Sequence, residues 1–485
     1  MQLNEQLSQI GQSLAGIVPE IFLATFFLVY LVAELLLNRG ANEEKTTSWL
    51  FYLSLGGAVV ALGLIMGQWS EVADFRFRPL LFLDNKAVFF KILVVVAWLF
   101  TLLHIRLLRY RFPAELSALL IATVLGMCLL TMATHWLTVY LALELLSLSS
   151  YLLVALSPAK KAAEGALKYL LFGAISSAIM LYGISLIYGL TGTLDFTNPA
   201  MRLGLAANAP LVMNVAMLMT LGGLLFKLSL VPFHVWTPDV YEAAPTPLVS
   251  FLSVAPKAAV LLVLMRVATS LPAELLPLLG GIALISITVG NVAALWQQNA
   301  RRLLAYSSIA QAGYLIVGVV AYNQLGFESA TFYVAAYLLL NMAAFLLIDL
   351  LLPRSDTPLA EYEGLGKPHA LVAMVLTVVM VALAGLPPTV GFTAKWLIFS
   401  ALWDSYQQQG EPWLVWLLIV GILNAAISLA YYLRLPYLLF FKKAKTETVL
   451  PVYSGWGKII SGVLLIAIIM LFLKPEWLMG IIQNT

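Results

Sequence analysis

The feature that most constrains this chain is a succession of apolar segments, each about as long as a bilayer is thick. In windows of about 19 residues they fall near 16–37, 48–68, 86–105, 115–132, 134–156 and 163–190, then near 211–230, 247–270, 275–296, 303–321, 328–352, 369–404, 413–433 and 456–474. That makes fourteen spans. The longest stretches without a spanning signal, 191–210 and 353–368, are loop-sized. Only 11% of the residues are charged, against about 25% in a soluble domain, so no soluble domain is expected. Hydrocarbon offers the backbone no hydrogen-bond partner, which leaves only helices or a closed barrel. Long unbroken apolar runs are helical rather than barrel-like. The fold class expected is therefore an all-α polytopic membrane protein of about 14 transmembrane helices.

Orientation follows from Lys and Arg at the span ends. Odd-numbered loops hold Arg39, Lys45, Arg106, Arg109, Arg111, Lys160, Lys161, Arg301, Arg302, Arg354, Lys367, Arg434, Lys442, Lys443 and Lys445. Even-numbered loops hold Arg76, Arg78 and Arg202, with Arg266 near a span end. The positive-inside rule places odd loops in the cytoplasm and both termini outside. Arg39 is the first basic residue. A secretory signal needs a basic leader, so the first apolar segment is expected to stay as a spanning helix.

Several function classes are missing their signatures. No Gly-x-Gly-x-x-Gly fingerprint and no phosphate-binding loop occurs. Cys128 is the only cysteine, which excludes an internal disulfide and a cysteine-ligated iron–sulfur cluster within the chain. The four histidines, His104, His135, His234 and His369, lie on separate segments without metal-site spacing. The net charge of +3 is spread over loops and implies no nucleic-acid partner. If redox chemistry is involved, another polypeptide carries the electrons.

Against this apolar background four charges stand out. A charge near the bilayer centre costs about 2.5–3.5 kcal/mol on insertion scales, so such groups face a bundle interior or water and mark ion paths. Glu144 lies mid-span, with Ser147, Ser149 and Ser150 within two turns. Lys227 precedes Pro232 by five residues in a segment too long for one crossing. Proline removes a hydrogen bond and clashes with the preceding turn, which predicts a break around Val231–Phe233. Lys257 follows Pro256 in the middle of 247–270. Lys395 follows Ala384-Gly385-Leu386-Pro387-Pro388, which interrupts the overlong stretch 369–404.

Burial disfavours a charged lysine while a nearby carboxylate favours it, so a row of such lysines suits a proton relay. Two proline-broken segments, with lysine before the break in one and after it in the other, fit two inverted five-helix repeats. Lys168 either snorkels to the basic loop before it or partners Glu144. His234 sits at the predicted break, either to transfer protons or to hold loose backbone.

At this point the residues resemble a known family. The run Lys227-Leu-Ser-Leu-Val-Pro-Phe-His-Val-Trp-Thr-Pro-Asp-Val-Tyr-Glu-Ala-Ala-Pro-Thr-Pro247 is similar to the signature of the antiporter-like subunits of respiratory complex I and of multisubunit cation/proton antiporters. Asn299-Ala-Arg301-Arg302-Leu-Leu-Ala-Tyr306-Ser307-Ser308-Ile-Ala-Gln311-Ala-Gly313-Tyr314 resembles the family's second signature. Glu144-Leu-Leu-Ser-Leu and the segment from Pro387 to Lys395 also fit, so the resemblance runs from about 115 to 440. Trp-Thr-Pro-Asp-Val-Tyr looks like the subunit-N branch, since the L and M branches read Trp-Leu-Pro-Asp there.

The resemblance implies a fourteen-helix fold with two inverted repeats. It implies a proton path through Glu144, Lys227, Lys257 and Lys395, with Lys168 as an additional candidate; His234 is a candidate from its place at the break. Gln311 stands where some relatives have histidine, so proton uptake in that half would rely on water, Lys257 or Lys395. The domains expected are an N-terminal three-helix region (1–112), a first repeat (113–272), a second repeat (273–440) and a C-terminal helix (441–485).

The function implied is a proton-translocating subunit of NADH:quinone oxidoreductase (respiratory complex I) in a bacterial inner membrane. It would have no cofactor of its own, with flavin and iron–sulfur clusters on partner subunits and quinone as the substrate of the complex. Its partners would be the lipid bilayer and the other membrane-arm subunits, with the peripheral redox arm contributing indirectly. The alternative is a subunit of a cation/proton antiporter using the same residues. A purely structural scaffold leaves four charges in four separate spans without a reason.

Overall fold

The computed structural model describes residues 2–37, 43–110, 113, 115–157, 160–353, 358–443 and 455–485. Of the basic residues used for orientation, Arg39, Arg111, Arg354 and Lys445 lie outside the described residues, as does the side chain of Lys45. The N-terminal part comprises α1 (Gln2–Ala15), α2 (Val18–Leu37), α3 (Glu43–Gly67), a hairpin of β1 (Asp74–Arg76) and β2 (Leu81–Leu83), and α4 (Asn85–Leu107). Next come α5 (Glu115–Met132), α6 (Trp136–Ala155), α7 (Lys160–Thr191), α8 (Pro199–Ala206), α9 (Pro210–Leu228), α10 (Trp236–Ala243), α11 (Thr246–Leu252) and α12 (Ala255–Ala268). The remainder comprises α13 (Leu275–Leu295), α14 (Ala300–Val320), α15 (Gln324–Leu351), α16 (Ala370–Ala384), α17 (Val390–Gln409), α18 (Pro412–Tyr432), α19 (Arg434–Phe441), α20 (Gly455–Leu473) and α21 (Glu476–Gln483).

Among the described residues, 13 helical stretches are long and apolar enough to cross a membrane by length and composition. The broken pair α16–α17 supplies the fourteenth, so each span expected from the sequence is a helix. Parity is visible in the contacts between loops. The chain ends and the even-numbered loops meet one another: Ser13 Oγ accepts from the Phe77 amide at 3.2 Å, Asn85 donates to the Asn484 carbonyl at 3.3 Å, and Arg266 pairs with Asp84 at 2.7 Å. Odd-numbered loops meet at the opposite face, where Arg302 pairs with Asp239 at 2.9 Å and Arg434 donates to the Gln297 carbonyl at 2.8 Å. An odd number of crossings would put the two chain ends on opposite faces.

The packing repeats as well. Helix α5 packs on α6 as α13 packs on α14, and α7 packs on α9 as α15 packs on α16 and α17. Equivalent elements are five crossings apart, so they run in opposite directions. Between α13 and α14 the backbones come close at glycine: a Cβ on Gly290 would lie 2.6 Å from the Ala310 nitrogen. Small residues at such crossings allow the close packing that joins helices in lipid.

Both breaks follow one local design. Helix α9 ends at Leu228, earlier than Val231–Phe233. The residue before a proline is pushed out of the helical region, and the chain turns ahead of it. Ser229 takes a left-handed conformation (φ 63°), with the Leu230 amide bonded to the Leu225 carbonyl at 3.0 Å. Helix α16 ends at Ala384 and is capped by Gly385 (φ 89°), with the Leu386 amide bonded to the Val381 carbonyl at 3.2 Å. Each is a left-handed helix stop followed three residues later by a proline, Pro232 or Pro388. The crossing that carries Lys257 is also interrupted, between α11 and α12 at Ser253–Val254.

Candidate functional site

Lys227 sits in the last turn of α9, buried, and its ammonium donates to Ser150 Oγ at 3.2 Å and Tyr169 Oη at 3.1 Å. It lies 4.9 Å from the centre of the Tyr169 ring and 5.1 Å from that of Tyr151, within cation–π range. The break brings Trp236 back onto this cluster, stacked on Tyr169 at 4.1 Å. Lys227 is thus held by hydroxyls and aromatic faces.

Lys257, in the first turn of α12 and 0% exposed, donates to the carbonyl of Ser308 at 2.7 Å and to its hydroxyl at 2.6 Å. Tyr337 donates to the same hydroxyl at 2.8 Å. Lys395, on α17, reaches back to the end of α16 and donates to the carbonyls of Ala384 (2.6 Å) and Leu383 (3.3 Å). The last carbonyls of a helix lack intrahelical partners and carry partial negative charge, which gives a cation a natural seat. Its carbon chain lies against Gly385, where an added Cβ would sit 2.6 Å from Lys395 Cδ.

A small cavity, with room for about one water, lies between Tyr337, Gln311, Tyr333 and Lys395. Gln311 is the crossroads of this half. Its amide donates to the Leu383 carbonyl at 3.1 Å and to Tyr432 Oη at 3.0 Å, and its oxygen accepts from Tyr333. Gln311 and Lys395 therefore share the Leu383 carbonyl. The polar groups run Lys257, Ser308, Tyr337, cavity, Gln311, Lys395. Among the described residues no hydrogen bond bridges the Lys227 cluster to Lys257.

Other expected residues are placed differently. Glu144 is only partly buried, on the face of α6 that also exposes Leu141 and Leu148. No ion pair within 4.0 Å joins it to Lys227 among the described residues. Lys168 does not reach Glu144; it pairs with Asp239 and Glu164, both at 2.9 Å. Its side chain is 40% exposed. Asp239 also pairs with Arg302, which in turn holds Glu242 at 2.8 Å. His234 is half-buried in the break, and among the described residues no hydrogen bond joins it to Lys227, whose ammonium is held by Ser150 and Tyr169. The His234 backbone carbonyl accepts from the Thr237 amide at 3.0 Å, a main-chain bond in which the imidazole takes no part.

Two buried clusters escaped the sequence reading. Lys91 on α4 and Glu20 on α2 form an ion pair at 2.7 Å, with side chains 0% and 2% exposed. The Lys91 ammonium also donates to Gln68 Oε1 at 3.2 Å. His104 on α4 meets Asp349 on α15 at 3.0 Å, and Tyr110 donates to both carboxylate oxygens. Lys91 carried the signal of a charge inside an apolar segment, and Asp349 the same near a span end. Among the described residues no group of three or more His, Cys, Asp or Glu could hold a metal ion.

A bundle with two opposed broken crossings and uncompensated lysines beside them is the architecture of an ion-translocating membrane subunit. A family model described as NADH:quinone oxidoreductase/Mrp antiporter, TM matches residues 133–428, and the chain belongs to that family. NADH-quinone oxidoreductase subunit N of Chlorobium chlorochromatii is 36% identical over 462 residues, 91% of this chain and 88% of that protein. A chain in the structure of respiratory complex I from Thermus thermophilus with bound aureothin superposes with a TM-score of 0.81 at 30% identity, covering 96% of this chain and 99% of that one. A chain of the Mrp complex from Dietzia sp. DQ12-45-1b superposes at 0.79 with 18% identity, covering 97% and 96%. At that identity the likeness to the Mrp chain is one of fold.

Proposed function

We propose that this chain is a proton-translocating membrane-arm subunit of an NADH:quinone oxidoreductase, in which quinone chemistry on other subunits drives proton transfer through Lys227, Lys257 and Lys395. The observation that carries the reading is that three lysines, each almost fully buried, have no carboxylate within ion-pair distance among the described residues. A buried cation without a counter-ion is poised to lose its proton when its surroundings change. One unit charge brought to 4 Å changes its energy by about 4 kcal/mol at an effective dielectric near 20. At about 1.36 kcal/mol per power of ten, proton affinity then moves by about three powers of ten, enough to switch occupancy.

Glu144 supplies the coupling surface. A carboxylate among lipid-facing leucines is costly when left in hydrocarbon, so a neighbouring membrane subunit covers it. That neighbour's charge then alters the field at Lys227. Within the second half the proton moves by hydroxyls and water from Lys257 past Ser308, Tyr337 and the cavity to Lys395. Lys168 holds the Asp239–Arg302–Glu242 network at the basic face, and His234 serves the break. The two repeats occupy 113–272 and 273–440, between an N-terminal three-helix region and a C-terminal helix. The basic face lies in the cytoplasm of a bacterium and the termini outside its inner membrane. Flavin and iron–sulfur clusters belong to partner subunits.

Purification by a tag on this chain in mild detergent, with mass spectrometry of what accompanies it, tests the reading. An assembly that contains flavin and iron–sulfur proteins and reduces quinone with NADH is expected. An assembly of ion-transport subunits alone would instead make the chain part of a cation/proton antiporter.

A further inference from the structure

The His104–Asp349–Tyr110 cluster has no part in the path described so far. His104 and Asp349 have side chains 0% and 1% exposed, a setting in which an ionisable pair is costly to keep. Beside it a small cavity, with room for about one water, is lined by Asp349, Arg301, Thr246 and Tyr362. It lies where α14 begins and α15 ends, at the face of the basic loops. Arg301 donates there to the Ala244 carbonyl at 2.7 Å.

From this cavity two polar stripes run toward Lys257. On α15, Asp349, Asn341, Tyr337 and Tyr333 recur at multiples of four residues and so share one face. On α11, Thr246 at the cavity is followed one turn on by Ser250, and Ser253 caps the helix. The two helices pack together, and Asn341 donates across the seam to Ser253 Oγ at 2.6 Å. Tyr337, one turn beyond Asn341, bonds the Ser308 hydroxyl that holds Lys257. The interval from Asp349 to Asn341 is about 12 Å along the helix, with Phe345 between them. In that interval Ser250 Oγ and Asn341 Oδ1 are buried without a hydrogen-bond partner in the protein, as is His104 Nδ1 within the cluster. Buried polar atoms of this kind are normally satisfied by ordered water.

We infer that the His104–Asp349–Tyr110 cluster is the proton-uptake site on the basic-loop face, feeding Lys257 along the α11–α15 seam. The inference rests on the proton-translocation reading above. The pair takes a proton from water in the cavity and holds it between His104 Nε2 and Asp349 Oδ2. The proton then hops through water bridging Ser250 and Asn341 to Tyr337. Tyr337 and Ser308 each accept one proton and release another, so the net change is one proton lost by the pair and one gained by the neutral Lys257 amine. His104 and Tyr110 lie outside the matched residues 133–428, so the N-terminal region contributes to transfer and not only to packing.

The test uses membranes carrying the whole assembled complex, with NADH as donor and proton uptake from the basic-loop side as readout. Asp349→Asn is expected to assemble and to lower the initial rate about tenfold or more, up to the roughly hundredfold or greater contribution of a positioned proton-transfer group. Added formate, a small diffusible acid, is expected to restore much of that rate. An unchanged rate, or a loss that formate does not relieve, overturns the inference in favour of a pair that merely pins α4 to α15. Lys257→Ala, measured alongside, separates the two levels of the argument. If it stops proton uptake while Asp349→Asn does not, the uptake site is wrong and the translocation reading stands. If Lys257→Ala has no effect, the translocation reading itself fails. Should Asp349→Asn not assemble, Asn341→Leu decides, because it leaves the pair intact and removes polarity from the seam. A matching loss supports the route, and a full rate overturns it.

Discussion

Lys91 and Lys257 are equally buried, both at 0% exposure, yet their surroundings are opposite. Lys91 has the Glu20 carboxylate at 2.7 Å and the Gln68 oxygen at 3.2 Å. Among the described residues, Lys257 has only the carbonyl and the hydroxyl of Ser308 as hydrogen-bond partners. Lys395 resembles Lys257, with two helix-end carbonyls, and Lys227 is held by hydroxyls and aromatic rings. A neutral oxygen can hold an amine as well as an ammonium, after reorientation, whereas a carboxylate strongly favours the ammonium. On the proposed reading, Lys91 is tied to its carboxylate partner, and the three central lysines are the ones that change state. On that reading the counter-ion separates structural from functional lysines, since burial is common to both.

The sharpest way to break that comparison is to remove charge on each side of it. Lys395→Met and Lys257→Met keep much of the side-chain volume and are each expected to lower NADH-driven proton translocation about tenfold or more, measured as acidification in vesicles with the assembled complex. Lys91→Met is expected to act on the fold instead. Removing one partner of a buried pair costs about 3–5 kcal/mol, visible as lost assembly or a lower Tm. Adding Glu20→Gln to it removes the stranded charge, and most of that stability is expected to return.

A smaller effect is expected at Gly385. Its φ of 89° and its contact with Lys395 leave no room for a Cβ. Gly385→Ala should cost about 1 kcal/mol or more in stability and displace the Lys395 ammonium from the Ala384 carbonyl. Slower translocation without loss of Lys395 is the observable. The smallest effect is expected from Lys168→Ala. Its pairs are partly exposed, and such pairs contribute about 0.2–1 kcal/mol each, so stability and translocation should both stay near wild type. A large loss of translocation there would bring Lys168 back into the path.

Much of this architecture is written in local sequence. The spans are legible because each apolar run matches a bilayer, and the breaks because Pro232 and the Pro387–Pro388 pair cannot continue a helix. The central lysines are legible because each interrupts an apolar segment. What the sequence does not carry is pairing across distance. Lys91 is separated by 71 residues from Glu20, and His104 by 245 from Asp349. Only the bundle reveals which of these charges is compensated. The same limit hid the partner of Lys168, because Asp239 lies beyond a break whose turn brings it back. In the sequence Gln311 is only a side chain that cannot carry a proton as a charged relay; its place as a hub among Leu383, Tyr333 and Tyr432 depends on three helices meeting α14. Exposure of Glu144 was equally invisible, since one helix face looks like another until its neighbours are known.

The most direct test of the counter-ion argument is the ratio of protons moved to electrons transferred, measured in proteoliposomes holding the purified complex. Lys257→Met is compared with the double variant Lys91→Met, Glu20→Gln. The account predicts a lowered ratio for Lys257→Met and an unchanged ratio for the double variant. An unchanged ratio for Lys257→Met, or an equal fall in both, would contradict it.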